Sequence, residues 1–284
     1  MRSGTATEAL EVRAFERRFM RTGTPVVLSA VFDVDAARAA LARAQLRPAA
    51  DRTFLDELHV GPGAYAAPPG LVAPPAYVET DDPWESYVHA GGAGDVAHLH
   101  YDGDQRHVLM CQVSGRKRYV VIDPAESRKL APGNQRQARR TSALFLQNFS
   151  ATDLQAFLRY ANAWDCVLEP GEALLIPAAS WHYVEYVDDA LSVSFRFGRN
   201  RYLRALAEAL PEPSVELQAL AARCRDEDAV GPRERAALAE LAAAADDRRD
   251  ALCVELCRRL GLPVAGAPYH VADVMRRHRI TAVA

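Results

Sequence analysis

Two short motifs, far apart in the chain, constrain its fold more than any other feature: His100-Tyr101-Asp102, closed by Gly103, and Trp181-His182, which follows a Pro170-Gly171-Glu172 turn. Residues two apart on an extended strand share a face, so His100 and Asp102 can grip one ion together. The run Ala173-Leu174-Leu175-Ile176 after the Pro-Gly turn is apolar and reads as a buried strand. The chain is then expected to continue through Ala178, Ala179 and Ser180 and present Trp181 and His182 at that strand's far end. Two imidazoles and one carboxylate on one side of an ion have the composition of a non-haem Fe(II) site with open coordination positions. Any fold that joins the two motifs at one ion must lay strands distant in sequence side by side.

A second grouping competes. His98-Leu99-His100 is an H-x-H on what strand alternation makes the face of Asp102, so His98, His100, Asp104 and His182 read as an ordinary cupin metal site. An H-x-D triplet alone arises often by chance, and the flanking sequence carries the decision.

Ahead of the triplet stands Gly91-Gly92-Ala93-Gly94-Asp95-Val96. After it come Gln112-Val113-Ser114-Gly115-Arg116-Lys117-Arg118, the Pro170 to Pro177 strand, Trp181-His182 and Leu191-Ser192-Val193-Ser194-Phe195-Arg196-Phe197. In this order, over roughly residues 10 to 200, the chain resembles the JmjC, or cupin-like, family of Fe(II)/2-oxoglutarate oxygenases, and within it the branch of the asparaginyl hydroxylase acting on hypoxia-inducible factor. The resemblance implies a mainly β protein with flanking helices, a double-stranded β-helix or jelly roll. It implies that His100, Asp102 and His182 bind Fe(II), with 2-oxoglutarate and O2 as cosubstrates. Lys117 falls where that branch pairs a lysine with the distal carboxylate of 2-oxoglutarate, and Arg196 is the rival, because other such oxygenases use an arginine on the strand after the second histidine. Lys117 and Lys129 are the only lysines in the chain. The sequence departs from the family at Ala97, where a hydroxyl residue is common, and in a longer stretch from Asp104 to Gly115. Trp181 is expected to pack beside His182 and fix its ring.

The implied reaction is hydroxylation of a C–H bond in an amino-acid side chain of a protein, a peptide or a carrier-bound natural-product intermediate, giving succinate and CO2. The alternatives are a metal-dependent cupin enzyme that does not use 2-oxoglutarate and a catalytically silent JmjC-like binding protein.

Composition sets the frame. The 284 residues are 49% hydrophobic with a formal charge of −3, enough to bury a full core. The division expected is 1–198 for the catalytic domain, with its β-helix core at about 85–198, and 199–284 for a C-terminal helical region that forms a homodimer. Leucines at helical spacing define that region: Leu203, Leu206 and Leu210, then Leu217 and Leu220, then Leu238 and Leu241, then Leu252, Leu256 and Leu260. Helices are also expected over Glu8 to Arg21 and Asp33 to Leu46, and a surface loop near the site over Gly61 to Pro83. The scattered, odd-numbered cysteines argue against a disulfide framework. No stretch is long enough to span a bilayer, so a cytoplasmic protein without a membrane partner is expected. The scarcity of lysine beside plentiful arginine suggests a bacterial source. Arg128, Lys129, Arg136, Arg139 and Arg140 form a basic stretch that could attract an acidic substrate. The slightly acidic whole, without aromatics among the basic residues, gives no expectation of a nucleic-acid partner. His270 and His278 read as surface residues.

Overall fold

The computed structural model describes residues 11–44, 73–78, 85–132, 141–210 and 215–262, with short segments at 5–6, 47–48, 59–60 and 63–67. In chain order the strands are β1 (Thr5–Ala6), β2 (Val26–Ser29), β3 (Arg47–Pro48), β4 (His59–Val60), β5 (Gly63–Ala66), β6 (Glu85–Gly91), β7 (Val96–His100), β8 (His107–Ser114), β9 (Lys117–Ile122), β10 (Trp164–Leu168), β11 (Glu172–Ile176), β12 (Trp181–Tyr186) and β13 (Ala190–Phe197). They form two sheets. The larger runs β1-β2-β11-β8-β13-β6-β5-β3 and the smaller β10-β9-β12-β7-β4, with all but the β1–β2 pairing antiparallel. Most neighbours are strands distant in sequence, as in a jelly roll, with β1–β2, β5–β6 and β9–β10 the consecutive pairs.

Both sheets are covered on both faces, which is why strands such as β8 read as continuous apolar runs. Between the sheets lie Val108, Met110, Tyr119, Val121, Leu174, Ile176, Val184 and Tyr186. The outer face of the larger sheet carries Leu109, Cys111, Val193 and Phe195 against Phe15, Phe19 and Leu41 from two N-terminal helices. The first of these, α1 (Val12–Phe15), passes into a π-wound turn over Glu16–Met20. It starts later than expected, and residues 7–10 lie outside the described residues. The second, α2 (Val34–Arg43), is capped by the Asp33 carboxylate, which accepts from the Ala36 amide.

Three expectations change. The run of strands from 85 to 198 is interrupted by α3 (Ala151–Tyr160), capped by Ser150, whose Phe157 and Leu158 cover the outer face of the smaller sheet. Within Gly61 to Pro83, the part described is not a loop throughout: β5 pairs with β6, and Tyr65, Tyr77 and Val78 pack into the core. His182 does not continue the strand that ends at Ile176. The chain turns at Pro177–Ser180, with Ala179 at a φ of 65°, and His182 opens a new strand in the other sheet.

The C-terminal helices α4 (Arg201–Ala209), α5 (Val215–Cys224), α6 (Pro232–Ala243) and α7 (Asp246–Arg259) follow the leucine spacing. Their leucines form one cluster with Cys224, Cys253 and Cys257, and that cluster includes Ala178 and Ala179 of the turn before His182. No helix among the described residues is long and apolar enough to cross a membrane.

Candidate metal centre

Residue His182 pairs in register with His100, so the two motifs meet across adjacent antiparallel strands, β12 and β7. Their rings lie 4.2 Å apart between centroids. Asp102, two residues beyond the end of β7 in register, places Oδ1 3.9 Å from His100 Nε2 and Oδ2 3.9 Å from His182 Nε2. Among the described residues these three form the one cluster whose donor atoms all lie within 4.8 Å of one another, and all three are buried.

Hydrogen bonding fixes the donor atoms. His100 Nδ1 is 2.6 Å from the His98 carbonyl oxygen, and His182 Nδ1 is 3.2 Å from that of Ser180. A carbonyl only accepts, so each Nδ1 carries the proton and each Nε2 keeps its lone pair toward the centre. Burial would raise the Asp102 carboxyl, but the positive charge of Arg196, joined by that of His182 and His100 whenever those rings are protonated, more than offsets it and holds Asp102 well below the usual carboxylate range. Two neutral imidazole nitrogens and one carboxylate, preset to converge, suit a divalent metal such as Fe(II).

The competing grouping is not assembled. Between His100 and Ala97 the register slips by one residue against β12, a bulge that takes His98 out of alternation with His100. The His98 ring instead sits edge-on to Phe145 at 5.1 Å, and Gln147 lies 3.4 Å from its Nδ1. Both carboxylate oxygens of Asp104 are occupied by Arg196.

Inward-facing residues of β9, β12 and β13 extend the site into a cavity shared by His100, Asp102, His182, Lys117, Tyr119, Ser194 and Arg196. The two candidate cations differ in what they meet. Lys117 is 1% exposed. Its Nζ donates to Ser192 Oγ at 2.6 Å, lies 3.4 Å from the His89 carbonyl oxygen and sits 4.0 Å over the Tyr186 ring. Among the described residues no carboxylate pairs with it, and burial pushes its pKa well down. Arg196 is saturated: Nε and Nη2 grip Asp104 at 2.8 and 2.5 Å, and Nη1 lies 3.1 Å from Asp102 Oδ2.

Trp181 faces away from the metal cluster. Alternation on β12 puts it on the outer side, edge-on to Tyr101 at 4.7 Å, with its indole N–H donated to Ser127 Oγ at 2.8 Å. It therefore anchors the strand and does not pack on the His182 ring. The group that braces the turn before His182 comes from the helical region: buried Arg225, just past α5, donates from Nε to the Ala178 carbonyl at 2.7 Å and from Nη2 to Ser180 Oγ at 3.3 Å. It crosses Gly23, where a Cβ would stand 1.8 Å from Nη1. Sequence reasoning did not find Arg225, and nothing local to it gives a signal. Ser192 and Ser194 were not singled out either, although a signal for them exists: on β13 polar Ser192, Ser194 and Arg196 alternate with apolar Val193, Phe195 and Phe197. In the basic stretch, Lys129 pairs with Glu126 at 2.5 Å and donates to the Tyr160 carbonyl, while Arg136, Arg139 and Arg140 lie outside the described residues, as do His270 and His278.

Residues 68–200 match the family of cupin-like domains. The lysine-specific demethylase 8 of Xenopus tropicalis is 36% identical over 107 residues, 37% of this chain and 23% of that protein. The lysine-specific demethylase JMJ30 of Arabidopsis thaliana is 36% identical over 106 residues, 37% of this chain and 24% of its own length. The tRNA wybutosine-synthesizing protein 5 of Danio rerio is 27% identical over 134 residues, 46% of this chain and 36% of that protein. The chain thus spans about a quarter of the length of the demethylases it matches. Over residues 68–200 the chain matches a cupin-like domain, and it is similar to these demethylases.

Proposed function

We propose that the chain is an Fe(II)- and 2-oxoglutarate-dependent oxygenase that hydroxylates a C–H bond in an amino-acid side chain of a protein, a peptide or a carrier-bound intermediate. The observation that carries the reading is the pairing of a preset His100, Asp102 and His182 cluster with Lys117, a buried cation of the same cavity that no carboxylate among the described residues neutralises. A buried ammonium costs several kcal/mol unless an anion meets it, and a dicarboxylate chelating a metal by one end supplies that anion with the other. Lys117, with Ser192 beside it, holds the distal carboxylate in this reading, and Arg196 does not, since Asp102 and Asp104 already engage it.

Fe(II) held by the three ligands, together with 2-oxoglutarate and O2, would supply an oxidant able to replace C–H by C–OH, releasing succinate and CO2. The protein's own work is placement. The carbonyls of His98 and Ser180 set the two imidazoles, and the apolar Val108, Met110, Ile176 and Val184 limit water in the cavity. The family contains lysine demethylases among the relatives named above, and the likeness to the asparaginyl hydroxylase branch favours hydroxylation of a protein or peptide. A homodimer through α4 to α7 is part of the proposal, and light scattering that finds a monomer removes it.

Anaerobic Fe(II) plus 2-oxoglutarate is expected to give a weak visible charge-transfer band, and admitting O2 should yield succinate. Bound iron with neither band nor succinate refutes the use of 2-oxoglutarate and leaves a cupin enzyme of another kind.

A further inference from the structure

We infer that Arg196 is a positioning residue for the metal ligand Asp102, locked in place by Asp104, an inference that rests on the metal reading above. The guanidinium spans two carboxylates: a fork of Nε and Nη2 on Asp104 at 2.8 and 2.5 Å, and Nη1 on Asp102 Oδ2 at 3.1 Å. Such a two-point fork fixes the plane of the guanidinium, which a lysine ammonium cannot do. With Oδ2 tied to Arg196, Asp102 has Oδ1 left for a metal. The carboxylate is thereby held to one-oxygen coordination, and the second oxygen does not close an open position. Arg196 brings a cation near a site built for a dication, and Asp104 compensates it. The residue pair Asp104 and Arg196 therefore acts as a unit, with Asp104 acting on the metal only through Arg196. This assigns a role to the Asp104 end of the stretch in which the chain departs from its family, and it removes Arg196 from the residues that hold the cosubstrate.

The test uses Co(II) as the probe, titrated into the full chain without 2-oxoglutarate or turnover, and reads affinity and the visible Co(II) bands. Partners that orient a metal ligand are typically worth 10- to 100-fold in metal affinity. Arg196→Gln and Arg196→Lys are each expected to weaken Co(II) about 10-fold and to change its visible bands, as the freed carboxylate alters the coordination. Asp104→Asn is expected to weaken it as well, and Arg196→Gln with Asp104→Asn together to be no weaker than Arg196→Gln alone. Thermal melting checks each variant; if Arg196→Gln does not fold, Arg196→Lys and Asp104→Asn carry the test. Wild-type affinity and bands in Arg196→Lys would show that charge alone matters and overturn the inference, as would additive losses in the double variant. A wild-type chain that binds no Co(II) overturns the metal reading itself.

Discussion

Lys117 and Arg196 face the same cavity from different sheets, Lys117 from β9 in the smaller and Arg196 from β13 in the larger. Arg196 meets two carboxylates, and its charge serves to keep Asp102 ionised and in place. Lys117 meets a serine hydroxyl, a backbone carbonyl and the face of Tyr186, and its ammonium is disfavoured by burial. One end of the cavity is electrostatically complete as folded. The other is short of negative charge. A site that binds a metal and an anion in series needs this asymmetry, because a cation already neutralised by the protein has little left for a ligand.

The largest effect that tests the contrast is on cosubstrate affinity. Lys117→Met removes the partner of a buried charge pair, worth about 2–5 kcal/mol, so the Kd for 2-oxoglutarate in the Co(II) form should rise at least 30-fold. Co(II) affinity itself should hardly change. Because the lysine must be protonated to pair, wild-type affinity should also weaken as pH rises through its depressed pKa, and this dependence should vanish in the variant. Calorimetry gives both; an unchanged Kd in Lys117→Met breaks the comparison outright.

Stability comes next, with opposite signs expected at the two residues. Replacing an unpaired buried ammonium by an apolar side chain of similar size should leave the ligand-free fold as stable or stabilise it by about 1 kcal/mol or more. Arg196→Met instead strands Asp102 and Asp104 without their cation, and Asp104 is about a third exposed, so a loss of about 1–3 kcal/mol is expected after allowing for solvent. Urea unfolding of the two variants measures this, and losses of equal size would show that the two cations are held alike.

Part of the site was legible before the structure, and the exceptions have physical reasons. That His100, Asp102 and His182 converge was readable from strand alternation at His100 and Asp102 together with the flanking motifs, whereas the route to His182, through a turn at Pro177–Ser180 into the other sheet, was not. The rejection of His98 was not, since a β-bulge depends on how β7 pairs with β12 and leaves no local mark in Val96-Ala97-His98-Leu99. Trp181 was misplaced for a related reason: a residue next to a ligand on a strand points the opposite way, so sequence adjacency argues against ring contact. The C-terminal helices showed plainly in leucine spacing. Arg225, which ties them to the turn before His182, depends on contacts 45 and 47 residues away and shows in no pattern. The preference proposed for Lys117 over Arg196 rests on Asp104, a residue whose meaning appears only once β13 lies beside β8.

The smallest effect separates a cost that a ligand can offset from one that it cannot. His107, buried at the start of β8, accepts the Ala178 amide at Nδ1 and lies near the Arg225 charge, and burial together with that charge pushes its pKa from 6.5 down to about 3. Above pH 6.5 neither the folded nor the unfolded chain protonates this ring. Between 6.5 and about 3 the unfolded chain takes up a proton that the folded chain refuses, so the stabilisation is complete above 6.5 and is lost as pH falls across that window, by at most about 1.4 kcal/mol per pH unit. His107→Asn, whose side-chain oxygen can still accept from Ala178, should flatten the dependence of urea stability on pH between 6.5 and 5. Lys117 is also penalised in its charged form, but an anion in the cavity restores its charge. Added 2-oxoglutarate should therefore raise stability in the Co(II) form without altering the His107 slope, and a slope that changed with ligand would mean that His107 belongs to the cavity after all.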